Sequence, residues 1–385
     1  MDRGAQRNQP LKTLVFNPGS NSLKWARIET GATDPHLVRG IKLQHGAIDD
    51  VLDQGKAALS VLEQAGEFDC VACRVVHGGG RFTSPLTVDE AVIRAIESFE
   101  DIAPLHNKSS VAIFRALRDK LANAVEILAV FDTDFHQTIP EVAWRYGIGY
   151  ELANELRIRR FGFHGISHKY LTLRYAEITA TPLDRTHIIT LHLEGGSSAT
   201  AVRGGQSIDT SMGFTPLEGL MMGTRCGDID ASLVGYLMKK KHVDVDEVNR
   251  WLTKESGLNA ISGISQDTRV LVKHLEDPRA CLALQMFSYR VRKYIGAYLA
   301  ALGDGSALVF GGGIGENTPL VRQQICEGLE SLGIDFDAAR NTSVIDREGK
   351  ITREGSRIEA WVIPTQEDLL IAHEAACFFE SAKIR

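Results

Sequence analysis

Residues 208–230 read Ile208-Asp209-Thr210-Ser211-Met212-Gly213-Phe214-Thr215-Pro216-Leu217-Glu218-Gly219-Leu220-Met221-Met222-Gly223-Thr224-Arg225-Cys226-Gly227-Asp228-Ile229-Asp230. This string has neither the period of two of a half-buried strand nor the period near 3.6 of an amphipathic helix. Its glycines keep interrupting it, so the backbone must turn or approach something closely. Between them stand Asp209, Glu218, Arg225, Asp228 and Asp230, charged groups seldom buried unless paired or working. A polar surface loop is the alternative, but a long glycine-rich segment carrying an arginine and carboxylates reads better as an active-site wall. Arginine's planar fork binds carboxylate or phosphate oxygens in pairs and stays charged. Arg225 and Arg74, the latter in Arg74-Val75-Val76-His77-Gly78-Gly79, are therefore the candidates for holding anions. Asp132 ends an apolar run, and His164 sits in Phe161-Gly162-Phe163-His164-Gly165. A lone histidine is more often structural than catalytic.

Phosphates want several backbone N–H groups converging on one point, which small residues in tight turns allow. Asn17-Pro18-Gly19-Ser20-Asn21-Ser22, with Lys24 beyond, has that composition, as does Glu194-Gly195-Gly196-Ser197-Ser198. Neither is a Walker-type loop, because the chain continues as a strand and not as a helix. On this segment alone an ordinary hairpin turn remains open. Gly311-Gly312-Gly313 follows an apolar strand and lets the backbone pack flat against a ligand, with Glu316 and Asn317 placed to read ribose or base.

Two segments must position these groups, and they share a plan. Residues 13–16 are an apolar strand, then comes the first polar turn, then a second strand over 23–28. Residues 188–193, the second turn and 199–202 repeat it. Each is a β-hairpin opening one half of the chain, and a diverged internal duplication is the economical explanation. Spacing predicts helices over 48–65, 88–100, 245–255, 279–302, 321–332 and 367–383, and strands over 124–131 and 307–310.

With 385 residues the chain exceeds the size at which single cores stop growing, so two domains are expected. A net charge of −6 argues against a nucleic-acid partner, and any anion must be held by local arginines and amides. Residues 1–12 are polar without the apolar core of a signal peptide, and no run approaches the ~18 apolar residues of a membrane helix. Cysteines 70, 73, 226, 281, 326 and 377 are scattered; no second pair completes a zinc site with Cys70 and Cys73. All six are expected to be buried structural thiols in a reducing cytoplasm.

From about Leu14 to about Ala372 the chain resembles the acetate kinases and their propionate and butyrate kinase relatives. The likeness rests on Asn17 to Lys24, Arg74 to Gly79, Ala103-Pro104-Leu105-His106-Asn107, Phe131-Asp132-Thr133, Phe161 to Gly165 with Ser167-His168-Lys169-Tyr170, residues 208–230, Gly312-Gly313-Ile314-Gly315-Glu316-Asn317 and Ile363-Pro364-Thr365, all in the family's order. The resemblance implies an α/β fold of the sugar kinase/Hsp70/actin type (ribonuclease H-like), duplicated into two domains with the active site in the interdomain cleft. It divides the chain into a tail (1–12), a first domain (13–134) rejoined by the C-terminal helix (368–385), and a second, nucleotide-binding domain (135–367). It implies catalytic roles for Arg74, Asp132, His164 and Arg225, and an acid pocket of Arg74, Val76, Leu105, Phe163 and Pro216. It implies nucleotide contacts from Asn17, Ser20, Ser22, Lys24, His192, Leu193, Glu194, Gly195, Gly196, Asp267, Thr268, Arg269, Gly313, Ile314, Gly315 and Asn317. Asn17, Asp132 and Glu367 would surround Mg2+, or Mn2+ in its place. The partners so implied are ATP or ADP, acetate or another short-chain carboxylate, and a second copy of the chain; neither nucleic acid nor membrane is expected.

The chain also departs from the family pattern. Glu194-Gly195-Gly196 stands where Gly-Asn-Gly is usual, and a carboxylate beside a phosphate repels it by about 1–4 kcal/mol at surface-like dielectric. Either Glu194 points away, or it meets a cation, or donor binding is altered. Asp134 replaces a usual alanine, Gln266 a serine and Gln366 an asparagine. Propionate or butyrate kinase, a catalytically weakened nucleotide-binding relative, and a pyrophosphate-using relative are the alternative readings.

Overall fold

The computed structural model describes residues 10–19, 22–31, 38–99, 107–122 and 124–384. Ser20 and Leu105 of the expected site lie outside these residues. The strands are β1 (Leu11–Pro18), β2 (Ser22–Thr30), β3 (Ile41–Asp49), β4 (Cys70–Val75), β5 (Leu86–Thr87), β6 (Glu126–Phe131), β7 (Ile188–Leu193), β8 (Ser197–Arg203), β9 (Gln206–Thr210), β10 (Ala307–Gly311), β11 (Gly349–Lys350) and β12 (Glu359–Val362). They form two six-stranded mixed sheets, β3-β2-β1-β4-β6-β5 and β9-β8-β7-β10-β12-β11. Adding six to every strand of the first order yields the second. In both, an antiparallel three-stranded meander is followed by two parallel strands and a short antiparallel edge strand. The duplication suspected from two hairpins thus extends over whole sheets.

The central strands are apolar on both faces because both faces are covered. Leu14, Val15 and Phe16 of β1 are fully buried, as are Ile188, Ile189, Leu191 and Leu193 of β7. Each sheet builds its own core. The first gathers Phe16, Trp25, Phe114 and Phe131; the second gathers Leu191, Phe287, Val291, Ile295 and Phe310 around the helix Pro278–Leu302.

The chain divides into two compact units. The first is Met1–Gln137 with His164–Arg174 and Gln366–Arg385, and the second is Thr138–Phe163 with Tyr175–Thr365. The segment after Phe163 therefore belongs with the first unit, although the reading from sequence placed it in the second. A close approach explains this: the Gly165 N–H donates to the Asp132 carbonyl at 2.8 Å, and a Cβ on Gly165 would stand 2.1 Å from that oxygen.

Other boundaries also differ. Leu11 and Lys12 are the start of β1, not the end of a tail. Ile48 lies in β3, and the first helix is Gln54–Gln64, begun by Asp53, whose carboxylate accepts from the Lys56 N–H at 3.0 Å. The expected helix over 88–100 is Glu90–Glu97, capped by Asp89. Gly312–Asn317 is a short helix rather than an open loop, and the helix expected over 321–332 is Pro319–Cys326 with a separate turn at Glu330–Leu332. Cys70, Cys73 and Cys326 are buried as expected, whereas Cys226, Cys281 and Cys377 are only half-buried.

Arg322 is the largest fully buried side chain. Its guanidinium donates to Asn341 Oδ1 (2.7 Å) and to the carbonyls of Gly315 (2.7 Å), Glu316 (2.9 Å), Asn341 (2.9 Å) and Val344 (2.6 Å). Burial pushes its pKa down to about 10, yet every donor direction has an acceptor. It ties Gly312–Asn317 to Asn341 in the helix Ala338–Ser343 and to Val344 just past it. Removing it strands several buried carbonyls, so Arg322→Ala is predicted to destabilise the second unit by about 3 kcal/mol or more, read from its urea transition.

Candidate functional site

Strands β1, β4 and β6 are neighbours running in the same direction, so their carboxyl ends emerge together. Asn17 sits at the end of β1, Arg74 near the end of β4, and Asp132 just past β6. Ligands in open α/β sheets bind at such ends. Arg74 Nε donates to Asp132 Oδ2 at 2.9 Å, and its Nη2 makes a second, shorter contact to the same oxygen. Arg74 Nη1 donates to Asn17 Oδ1 at 3.0 Å, while Asn17 Nδ2 donates to Glu367 Oε2 at 2.8 Å. Four residues that are up to 350 positions apart thus form one chain of hydrogen bonds.

The surroundings of this chain supply its rigidity. Ser110 Oγ donates to the Arg74 carbonyl at 2.8 Å. His77 is fully buried; burial lowers its pKa to about 4, so it stays neutral, accepting from the Gly79 N–H through Nδ1 at 2.8 Å. Asn107 holds the His77 backbone through both its N–H and its carbonyl. Gln54 Nε2 donates to the carbonyls of Gly19 and Ser22, each at 3.3 Å, holding both sides of the β1–β2 turn. Nothing in the sequence flagged Gln54 or Asn107 for these tasks, because their partners lie tens of residues away. Lys24, opposite Asn17 in the β1–β2 register, is exposed. His164 is half-buried at φ +56°, a left-handed backbone that is uncommon for a residue with a Cβ and that recurs at functional sites. Asp134 is held with Lys169 and Glu374, which pair at 2.7 Å; burial raises the Asp134 pKa to about 7.

In the second unit the turn between β7 and β8 is closed by the Ser197 hydroxyl on the Glu194 backbone. The Gly223 N–H donates to the Gly195 carbonyl at 3.1 Å, which docks segment 208–230 on this turn. The Glu194 carboxylate is 51% exposed and lies 3.6 Å from His192 Nε2. A carboxylate so open to water is largely screened, which weakens the expected repulsion toward a donor phosphate. Thr268 Oγ1 lies 3.2 Å from Thr318 Oγ1, joining the segment of Asp267 and Arg269 to the end of Gly312–Asn317. Asp267 caps the next helix and pairs with Arg269 at 2.7 Å, so these two groups satisfy each other.

Glu316 does not face outward to read a nucleotide. It is buried, and its Oε1 accepts from both the N–H and the hydroxyl of Thr365, at 2.9 and 2.8 Å. Likewise, most charges of segment 208–230 are internal ties. Asp228 accepts from the Gly219 N–H and from Tyr294, Glu218 pairs with Arg160, and Asp230 caps Ser232. Arg225 is different. Its contacts are the Pro216 carbonyl at 3.2 Å and the Met222 sulfur at 3.7 Å, with no carboxylate partner among the described residues. Burial lowers its pKa.

Of the expected acid pocket, Val76 is buried in the first unit and Phe163 in the second, where Pro216 is half-buried. Among the described residues no group of three or more His, Cys, Asp or Glu is arranged to hold a metal. Asn17, Asp132 and Glu367 instead offer one amide and two carboxylates. That oxygen set suits Mg2+, which keeps several waters and takes one or two protein carboxylates together with substrate phosphates.

Residues 38–373 match the model of the acetokinase family. The acetate kinase of Thermoanaerobacterium thermosaccharolyticum is 43% identical over 402 residues, covering 97% of this chain and 100% of that protein. That of Alkaliphilus metalliredigens is 42% identical over 394 residues, covering 94% and 99%. The crystal structure of Porphyromonas gingivalis acetate kinase superposes with a TM-score of 0.84 at 34% identity, covering 96% of this chain and 100% of that one. A propionate kinase from Francisella tularensis reaches 0.83 at 34% identity, covering 94% and 98%. Motifs, duplicated sheets and relatives along nearly its whole length agree that the chain belongs to the acetokinase family.

Proposed function

We propose that this protein is an acetate kinase, transferring the γ-phosphoryl group of ATP directly to acetate to give acetyl phosphate and ADP, and running in reverse. The observation that carries the reading is Arg225, a half-buried guanidinium whose described neighbours include no anion. Such a charge is costly to leave uncompensated, which argues that an anionic ligand completes it.

Acetate is ionised at neutral pH, so no general base is needed. A carboxylate oxygen attacks the γ-phosphorus in line while the bond to the β-phosphate oxygen breaks, and ADP leaves with its electron pair. The transition state is loose, with charge spread over the equatorial oxygens, so catalysis is positioning and electrostatics. Arg74, aimed by Asp132 and Asn17, and Arg225 supply paired donors to those oxygens. His164 donates a hydrogen bond to the transferring group. Asn17, Ser22 and Lys24 receive donor phosphates, as do His192, Leu193, Glu194, Gly195 and Gly196. Asp267, Thr268, Arg269, Gly313, Ile314, Gly315 and Asn317 take the nucleoside. Asn17, Asp132 and Glu367 would hold Mg2+, which when bound neutralises the donor phosphates.

Val76, Phe163 and Pro216 line the acid pocket in this reading. Propionate is the second candidate acceptor, favoured by the likeness to a propionate kinase and by the small discrimination, about 10- to 200-fold, that one methylene allows. The unbridged thiols fit a cytoplasmic enzyme. Leu282, Met286 and Tyr289, spaced along Pro278–Leu302, are 48%, 40% and 60% exposed and support a homodimer. Sedimentation at about twice 42.2 kDa is predicted, and a particle of 42.2 kDa at micromolar concentration would remove the dimer.

The direct test is hydroxamate formation from acetate, propionate and butyrate with ATP, GTP or pyrophosphate. Acetate with ATP is predicted to be the best pair, and Arg74→Ala to lose about 100–1,000-fold in turnover, the usual loss for one transition-state donor. Absence of turnover with every acid and ATP would sink the reading.

A further inference from the structure

One charged cluster beside Arg225 has a geometry that the roles above leave unused. Glu218 accepts from the Tyr146 hydroxyl through Oε2 and from Arg160 Nη2 through Oε1 at 2.7 Å. The Tyr146 oxygen in turn accepts from the Phe214 N–H at 2.8 Å. Arg160 Nη1 donates to the carbonyls of Thr210, Ser211 and Met212, at 2.9, 3.2 and 3.2 Å. Three side chains therefore grip the backbone from 210 to 218 at both ends and in the middle.

The cluster fits only because residue 213 has no side chain. A Cβ on Gly213 would stand 1.6 Å from Glu218 Oε2 and 2.1 Å from the Tyr146 oxygen. The Gly213 carbonyl accepts from the N–H groups of Phe161 and Gly162, at 3.0 and 3.3 Å, and that segment leads directly into Phe163 and His164. At the other end of the loop, the Pro216 carbonyl is the one oxygen acceptor Arg225 has among the described residues. Burial and then the Glu218 hydrogen bond raise the Tyr146 pKa, so its hydroxyl keeps its proton; burial alone would lower the Arg160 pKa, but Glu218, Tyr146, Tyr298 and Asp209 together raise it, so it stays charged. Tyr146 and Arg160 are thus both donors, and Glu218 accepts one hydrogen bond from each.

We propose that Tyr146, Glu218 and Arg160 are positioning residues that set the Pro216 loop and, through its carbonyl, the direction of the Arg225 guanidinium, and thereby decide which carboxylic acid is accepted. The inference rests on the carboxylate kinase reading and goes beyond it by assigning acid selection to residues that need not touch the acid.

The test measures kcat and KM for acetate, propionate and ATP, with the thermal midpoint, in wild type, Tyr146→Phe, Glu218→Gln and Glu218→Ala. Tyr146→Phe removes one oxygen and is predicted to raise KM for acetate about three- to tenfold, the usual effect of one lost hydrogen bond. The ratio of kcat/KM for acetate over propionate should change at least about threefold, while KM for ATP stays within about twofold and the midpoint within a few degrees. Glu218→Gln, which keeps an acceptor for Arg160, should retain most of what Glu218→Ala loses. Unchanged acid constants and ratio in Tyr146→Phe would overturn the proposal. So would parallel rises for acetate and ATP with a falling midpoint, the signature of a purely structural role. A wild type inactive on every acid would instead remove the kinase reading on which the proposal stands.

Discussion

A carboxylate and a triphosphate repel each other, and an enzyme that joins them must hold positive charge in place before either arrives. The two arginines proposed to meet this demand are held in opposite ways. Arg74 is locked between Asp132 and Asn17 at the ends of three parallel-running strands, its direction fixed and its charge already shared. Arg225 rests on a carbonyl and a thioether, its charge left over. In the proposed mechanism the first arrangement gives aim, and the second gives affinity for an anion. Both are expensive for a fold to maintain, and much of the remaining polar structure serves to maintain them.

That support is layered. Gln54, Ser110 and Asn107 fix the backbone around Asn17 and Arg74 in the first unit. In the second, Arg322 ties down Gly312–Asn317 from below, and Glu316 binds that helix to Thr365. Thr365 precedes Glu367 by two residues in the sequence. Glycines matter here as space: where a carboxylate and a hydroxyl occupy the place of a side chain, as at Gly213, no other residue fits.

What the sequence makes legible is local or repeated. Hairpins with small polar turns, apolar strands such as 188–193 and the helix near 278–302 are readable from periodicity, and two similar hairpins betray a duplication whose full extent appears only in the strand orders. What escapes reading is partnership over distance. Strand β3 is missed because it is an edge strand with no buried residue, so no apolar run marks it. Glu316 looks like a ligand contact in a glycine-rich motif, but its partner is 49 positions away. Arg322, Tyr146 and Gln54 carry no signal at all, since an interior arginine or a clamping glutamine is recognisable only by what surrounds it.

In the proposed mechanism Arg225 is charge held ready for substrate at the expense of stability, and Arg225→Met tests this in one variant. Methionine fills similar volume without charge, and replacing an uncompensated, partly buried cation should be neutral or stabilising by about 1 kcal/mol or more. The urea midpoint is predicted to hold or rise while turnover falls about 100-fold or more. A variant that loses stability, or that keeps near-wild-type turnover, would contradict it.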